Sequence, residues 1–159
     1  MNEKTLILVR HAHRDKDQGA GFDNGLSEKG QDQARKIGAH FATRLEGSNP
    51  VFLTSPKKRC VETIQAIYKA VLKDTKNVKA PKVEELLGEG PYIDDRVEKF
   101  FDWWKDEASD LVVACSHGDW IPTFVHFTVG IDIPLKKAAY VQLNLVGSRP
   151  MLTWLVQRV

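Results

Sequence analysis

Short unbroken apolar blocks alternate along this chain with longer stretches in which apolar residues recur every three or four positions. The first block lies within Lys4 to Val9 and stops abruptly at Arg10-His11-Ala12-His13-Arg14-Asp15. A continuous apolar run ending in polar residues is the pattern of a strand buried on both faces of a parallel sheet, with side chains delivered at its carboxyl end. Asp17 to Gly25, with Gly19, Gly21 and Gly25, reads as a loop. Ser27 then caps a helix in which Ala34, Ile37, Phe41 and Leu45 share one face. Val51-Phe52-Leu53-Thr54 predicts a second strand, and Ser55-Pro56 a cap followed by proline at the first helical position. The helix so opened runs from about Pro56 to Leu72, with Val61, Ile64, Ile67, Tyr68 and Val71 on its inner side.

Val83 to Leu87 predicts a third strand, closed by Gly88-Glu89-Gly90-Pro91, and a helix beginning near Asp94 carries Phe100, Phe101, Trp103 and Trp104. Leu111 to Cys115 predicts a fourth strand, and Ser116-His117-Gly118-Asp119 turns into a helix that tolerates Pro122 in its first turn. Ala138 to Val146 and Met151 to Val156 read as two strands joined through Gly147-Ser148-Arg149-Pro150. Strands alternating with helices imply an α/β fold, a three-layer α/β/α sandwich with a mostly parallel central sheet and a β-rich tail. No repeat, low-complexity tract or linker interrupts the pattern. A length of 159 residues suits one core, so residues 1–159 are read as a single domain.

Composition narrows the partners more than the fold. Hydrophobic residues make up 42% and charged residues 28%, the balance of a soluble globular protein. With 23 Lys and Arg against 21 Asp and Glu, the net charge of +2 gives no global reason to expect nucleic acid. The apolar run Leu6-Ile7-Leu8-Val9 is too short for a signal-peptide core or a membrane span, so neither a membrane partner nor export is expected. Cys60 in a helix's first turn and Cys115 at the end of a buried strand argue against a structural disulfide and fit a reducing cytoplasm.

The candidate chemistry sits at strand ends. In an open α/β sheet ligands collect outside the carboxyl ends of the strands, where both Arg10-His11 and His117 fall, and Arg59 lies one turn into the helix opened at the same end. Two arginines, two histidines and helix amino termini converging on one point describe a site for a dianion. Phosphoryl transfer needs charge stabilisation on the nonbridging oxygens, an in-line nucleophile and a proton for the leaving oxygen. A neutral imidazole can attack phosphorus, and adjacent arginines disfavour its protonated form.

The motifs resemble, in order, those of the histidine phosphatase superfamily, which includes phosphoglycerate mutases, fructose-2,6-bisphosphatases and the short phosphohistidine phosphatases. Leu8-Val9-Arg10-His11-Ala12 is similar to its Arg-His-Gly/Ala signature, and Leu26-Ser27-Glu28-Lys29-Gly30-Gln31-Asp32-Gln33-Ala34 to its Leu-Thr/Ser-x-x-Gly-x-x-Gln-Ala helix start. Thr54-Ser55-Pro56-Lys57-Lys58-Arg59-Cys60-Val61-Glu62-Thr63 resembles its Ser-Pro-x-x-Arg-x-x-x-Thr segment, and Val112 to Asp119 the strand that delivers a second histidine. The resemblance implies a phosphoglycerate mutase-like fold and a metal-independent phosphatase without cofactor. In it His11 is the nucleophile, and Arg10, Arg59 and His117 bind the phosphoryl group. It implies a general acid at Glu89, in Leu87-Gly88-Glu89, with Glu85 competing for the role and either able to be a solvated surface charge. The chain departs from the common form at Ala12-His13-Arg14. There Arg14 matches the second arginine of an Arg-His-Gly-x-Arg branch, and His13 is read as a pocket wall, a substrate contact or an exposed side chain.

Other readings remain open on sequence alone. His11 and His13 at i, i+2 resemble the opening of a metal-dependent hydrolase, but Arg10 and Arg14 beside them repel a cation and no second ligand cluster follows. A phosphate-binding module of weak or no turnover is the third possibility. Asp119 caps the following helix or orients an imidazole. His40 and His126 are read as packing or surface residues, and Trp103, Trp104 and Trp120 as core or pocket-edge aromatics. The connections are short, so the pocket is expected to be shallow and open. That suits a phosphorylated protein side chain or small phosphomonoesters, acted on by a monomer or small homo-oligomer, and disfavours a mutase.

Overall fold

The computed structural model describes residues 3–17, 19 and 21–159. In chain order the elements are β1 (Glu3–Arg10), α1 (Glu28–Arg44), β2 (Val51–Thr54), α2 (Lys58–Leu72), β3 (Lys82–Val83), a 3-10 turn (Glu85–Leu87), α3 (Ile93–Asp106), β4 (Leu111–Ser116), α4 (Trp120–Val129), β5 (Tyr140–Val146) and β6 (Arg149–Val156). They build one six-stranded sheet in the order β3-β2-β4-β1-β5-β6. β3, β2, β4 and β1 run parallel, and β5 and β6 continue antiparallel.

Alternation along the strands divides the core in two. Leu6 and Leu8 of β1 with Val112 and Ala114 of β4 pack on one face against Val97, Phe100 and Trp104 of α3 and Trp120 and Phe124 of α4. Ile7 and Val9 with Val113 and Cys115 pack on the other against Ile37 and Phe41 of α1 and Ile64 and Ile67 of α2. Each fully buried side chain of this size contributes roughly 1.5–3 kcal/mol, which is why both strand faces must be apolar. The three layers are therefore written in the continuous runs of β1 and β4. Among the described residues no helix is long and apolar enough to cross a membrane.

Three local expectations are corrected. α2 begins at Lys58 behind Lys57, whose side chain makes no capping bond, rather than at Pro56 behind Ser55. The hydroxyl of Ser55 is engaged by a histidine ring instead. The expected strand Val83 to Leu87 shrinks to Lys82–Val83 and passes into the 3-10 turn, so that Leu87 is buried beneath α3 and Glu85 is exposed. The first tail strand begins at Tyr140 rather than Ala138, because Ala138 has left-handed backbone (φ 61°) and its N–H donates to the carbonyls of Arg10 and His11. Ser27 does cap α1, its Oγ accepting from the Gly30 N–H at 3.0 Å.

Candidate active site

Register puts the carboxyl ends of three strands side by side. Arg10 faces Ser116 across β1 and β4, and Thr54 faces Cys115 across β2 and β4. Beyond those pairs the His11 N–H donates to Ser116 O at 3.1 Å, and the Ser55 N–H to Cys115 O at 3.0 Å. His11, Ser55 and His117 are thus held by neighbouring strands, with Arg59 one residue into the helix that follows β2. The imidazoles of His11 and His117 lie with centroids 5.5 Å apart and planes inclined at 63°.

The protonation of His11 is set by its surroundings. Its Nδ1 lies 2.8 Å from Ala12 O, and a carbonyl only accepts, so Nδ1 carries the proton and Nε2 the free lone pair. The Arg59 Nε–H points at that Nε2 from 3.3 Å. Burial lowers the pKa to about 3, opposed by the Ala12 bond and aided by the cations Arg59 and Arg10 and by His117. His11 is a neutral imidazole at any ordinary pH.

Arg59, nearly buried, spans the site. Its Nη2 donates to Glu89 Oε1 at 2.5 Å and lies 3.4 Å from His117 Nδ1. Glu89 Oε2 is itself 3.4 Å from that Nδ1. The other face of the His117 ring is fixed by Ser55 Oγ, 2.8 Å from Nε2. Partial burial raises the Glu89 pKa, but the Arg59 hydrogen bond and the charges of His117, Arg59 and Lys57 outweigh it and leave the carboxyl below its ordinary value. Cys60 packs behind His117, its Sγ 3.6 Å from Nε2 and from Ser116 O. Burial pushes this thiol up, and hydrogen bonding to Cys115 and His117 brings it below its ordinary value. Both cysteines are free and buried.

Arg10 donates Nη1 to Leu135 O at 2.5 Å, while its buried Nε has no hydrogen-bond partner among the described residues. A buried N–H without acceptor costs about 1–3 kcal/mol, which an incoming anion would recover. Arg10, His11, Arg59, Glu89 and His117 line an open cavity of about 310 Å³ together with Arg14, Lys16, Gly118, Asp119 and Lys137. Desolvation of Arg10 lowers its pKa and Asp119 raises it, so Asp119 offsets the cost of the cation cluster. Asp119 also caps α4, its Oδ1 accepting from the Trp120 N–H at 2.7 Å.

Arg10, His11, Arg14, Arg59, His117 and Glu89 are therefore brought together, and Glu85 is not. Glu85 stands exposed on the 3-10 turn, outside the cavity lining, because that turn replaces the expected strand. His13 is also turned away. Its Nδ1 meets Ser27 Oγ at 2.7 Å, and it lines a second, larger cavity of about 630 Å³ whose lining includes neither His11 nor His117. Among the described residues no group of three or more His, Cys, Asp or Glu is placed to hold a metal ion. His40 meets the Tyr140 hydroxyl, His126 meets Asp132 at the surface, and Trp104 and Trp120 are core.

Four residues that shape the site escaped sequence reasoning: Ser55, Thr63, Gly118 and Lys137. Ser55 carried the same signal as a helix cap. Thr63 Oγ1 accepts from the Ala12 N–H at 3.0 Å and donates to Arg59 O at 2.7 Å, tying the loop after β1 to α2. Its signal was the Arg-x-x-x-Thr spacing, which puts both on one helix face.

The model of the histidine phosphatase superfamily (branch 1) matches residues 6–86, about half of the chain. Among solved structures, the protein histidine phosphatase SixA complexed with tungstate superposes with TM-score 0.79 at 16% identity, covering 96% of each chain. Mycobacterial hydrolase 1 gives 0.77 at 16%, covering 99% of this chain and 100% of its own. The phosphoserine phosphatase of Entamoeba histolytica with 3-phosphoglyceric acid gives 0.73 at 19%, covering 96% of each. No curated protein sequence matches significantly. At these identities the structural likenesses establish the fold, a phosphoglycerate mutase-like α/β/α sandwich, and the matched model establishes descent. The chain belongs to the histidine phosphatase superfamily, branch 1.

Proposed function

We propose that residues 1–159 form one metal-independent phosphatase domain in which His11 carries the phosphoryl group, acting on phosphorylated side chains or small phosphomonoesters in the cytoplasm. The observation that carries this reading is the lone pair of His11 Nε2. It stands free of a proton among Arg10, Arg59 and His117, with an Arg10 Nε–H in the same pocket wall that has no partner among the described residues.

Arg10, Arg14, Arg59 and His117 hold the phosphoryl oxygens. The His11 Nε2 lone pair forms the N–P bond as the P–O bond to the leaving group breaks, and the leaving oxygen takes a proton from Glu89. The Glu89 carboxylate then takes a proton from water, whose oxygen attacks phosphorus and releases His11 and inorganic phosphate. Paired with Arg59, Glu89 is held ionised. A bound dianion draws Arg59 away and sets negative charge beside Glu89, and both effects raise its pKa toward that of an acid. SixA and the Entamoeba enzyme, by their names, act on protein phosphohistidine and phosphoserine, in keeping with an open pocket that admits a side chain.

The test is hydrolysis of an aryl phosphate in excess chelator by the protein and its His11→Ala variant. Metal-independent turnover, lost by at least a thousandfold in the variant while vanadate still binds, supports the reading. Undiminished turnover in the variant, or loss on chelation, overturns it. No turnover by the unaltered protein on any phosphomonoester or phosphoramidate leaves the binding-module reading in its place.

A further inference from the structure

The larger cavity, about 630 Å³, adjoins the phosphate pocket, and Lys137 lines both. Its charge is one-sided. One wall is α1, where Lys29 and Lys36 stand seven residues apart on one face, about 10 Å along the helix axis. The opposite wall is Lys136 and Lys137, ahead of β5, with Arg158 beyond β6. Among the described residues the one carboxylate side chain in the lining, Asp32, is already engaged by Arg35 and Lys36 on its own helix. Among the described residues no ion pair engages Lys29, Lys136, Lys137 or Arg158.

The backbone holds this arrangement at some cost. Ala138, a residue with a Cβ, is kept in left-handed conformation by its N–H bonds to Arg10 O and His11 O, both 3.2 Å. Such strain costs of order 1–3 kcal/mol and persists where surrounding structure imposes it. Here it fixes Lys136-Lys137 against the loop that carries the nucleophile. Burial and then the charges of Lys16, Arg10, Arg14 and Lys29 press the Lys137 ammonium below its ordinary pKa.

We infer that this trough is a docking site for an acidic polypeptide segment, so that the substrates of the phosphatase are phosphorylated residues flanked by Asp and Glu. The inference rests on the phosphatase reading and adds the substrate class to it. A single small anion would meet only part of a trough whose cations on α1 alone are about 10 Å apart, whereas a chain of carboxylates can follow both walls. Nucleic acid would also answer to the charge, but among the described residues the lining offers no Phe, Tyr or Trp on which bases could stack.

Phosphotyrosine peptides of equal length, flanked by Asp/Glu, Ala or Lys, are compared by kcat/KM with p-nitrophenyl phosphate as reference. The acidic series is expected to exceed the alanine series at least tenfold at low ionic strength and to lose that advantage in high salt. Lys29→Glu/Lys36→Glu and Lys136→Glu/Arg158→Glu should abolish the preference and leave p-nitrophenyl phosphate hydrolysis unchanged, which also certifies the fold. In parallel, the acidic peptide without phosphate, carrying a fluorophore, is titrated onto the His11→Ala protein, with and without the same charge reversals. This arm reports on the trough even if His11 is no nucleophile. Equal kcat/KM for acidic and neutral peptides overturns the inference, as does a preference untouched by charge reversal. So does a charge-sensitive preference shown only by an oligonucleotide 5′-phosphate or a small bisphosphate.

Discussion

Gly118 shows how little room the phosphate pocket leaves around Arg10. A Cβ at that position would stand 2.5 Å from Arg10 Cζ and 2.7 Å from Nε, so any side chain there displaces the guanidinium. Gly118→Ala is expected to weaken vanadate binding and kcat/KM for an aryl phosphate by about 10- to 100-fold with the circular dichroism spectrum unchanged, since small misplacements of a clamp are costly. Unaltered vanadate affinity would mean that Arg10 is not part of the anion site. Glu89 is tested by its leaving group. Glu89→Gln should cut kcat/KM on alkyl phosphates by about 10²–10⁴ and spare kcat/KM on aryl phosphates, whose leaving oxygen needs no proton, while kcat falls on both because release of His11 needs the same carboxylate as base. Equal loss of kcat/KM on both would make Glu89 an orienting residue for Arg59 and His117 rather than an acid. At this scale Arg10, His11, Arg59 and His117 were legible because each ends a strand or begins a helix at one edge of the sheet. Gly118 was not, since the need for it arises only when Arg10 crosses beneath it from a strand more than a hundred residues away.

Elements were legible where burial and periodicity agreed. β1 and β4 are apolar on both faces and α1 on one, and their ends fall within a few residues of the positions read from the sequence. The stretch Val83 to Leu87 was misread because a short apolar run has the same pattern in a strand and in a buried turn, and only the packing of Leu87 beneath α3 decides between them. The start of α2 moved because the Ser55 hydroxyl has a stronger claim on it from His117 than from the helix. The junction of α1 with the loop after β1 gives the sharpest test at this scale. A Cβ on Gly30 would lie 1.9 Å from His13 O, which is backbone and cannot swing aside. That same carbonyl accepts from the Ser27 N–H at 3.0 Å, and Ser27 Oγ serves both the Gly30 N–H and His13. Gly30→Ala should therefore destabilise the protein by about 1–3 kcal/mol, read as a lower denaturant midpoint at unchanged slope. A neutral effect would show that the first turn of α1 shifts freely, and with it the wall of the basic trough.

The whole molecule bears the cost of keeping His11 uncharged, and that cost has a direction in pH. The unfolded chain protonates His11 near its ordinary 6.5, whereas the folded protein refuses the proton until about 3. Between those values the unfolded state binds more protons, so stability falls as pH falls through this window and is independent of His11 above it. At pH 5 the loss from this one buried ring is roughly 2 kcal/mol. His13 and His40, whose values are also lowered by burial, act in the same sense, and Glu89 joins only below the ordinary carboxyl range. A His11→Asn variant keeps a neutral side chain at every pH. Its denaturant-derived stability should therefore match or exceed that of the parent at pH 5, with a shallower slope between pH 6.5 and 4. Parallel stability curves for the two proteins would mean that His11 accepts a proton as readily when folded as when unfolded. The neutral Nε2 that the proposed phosphoryl transfer requires would then be lost in mildly acidic solution.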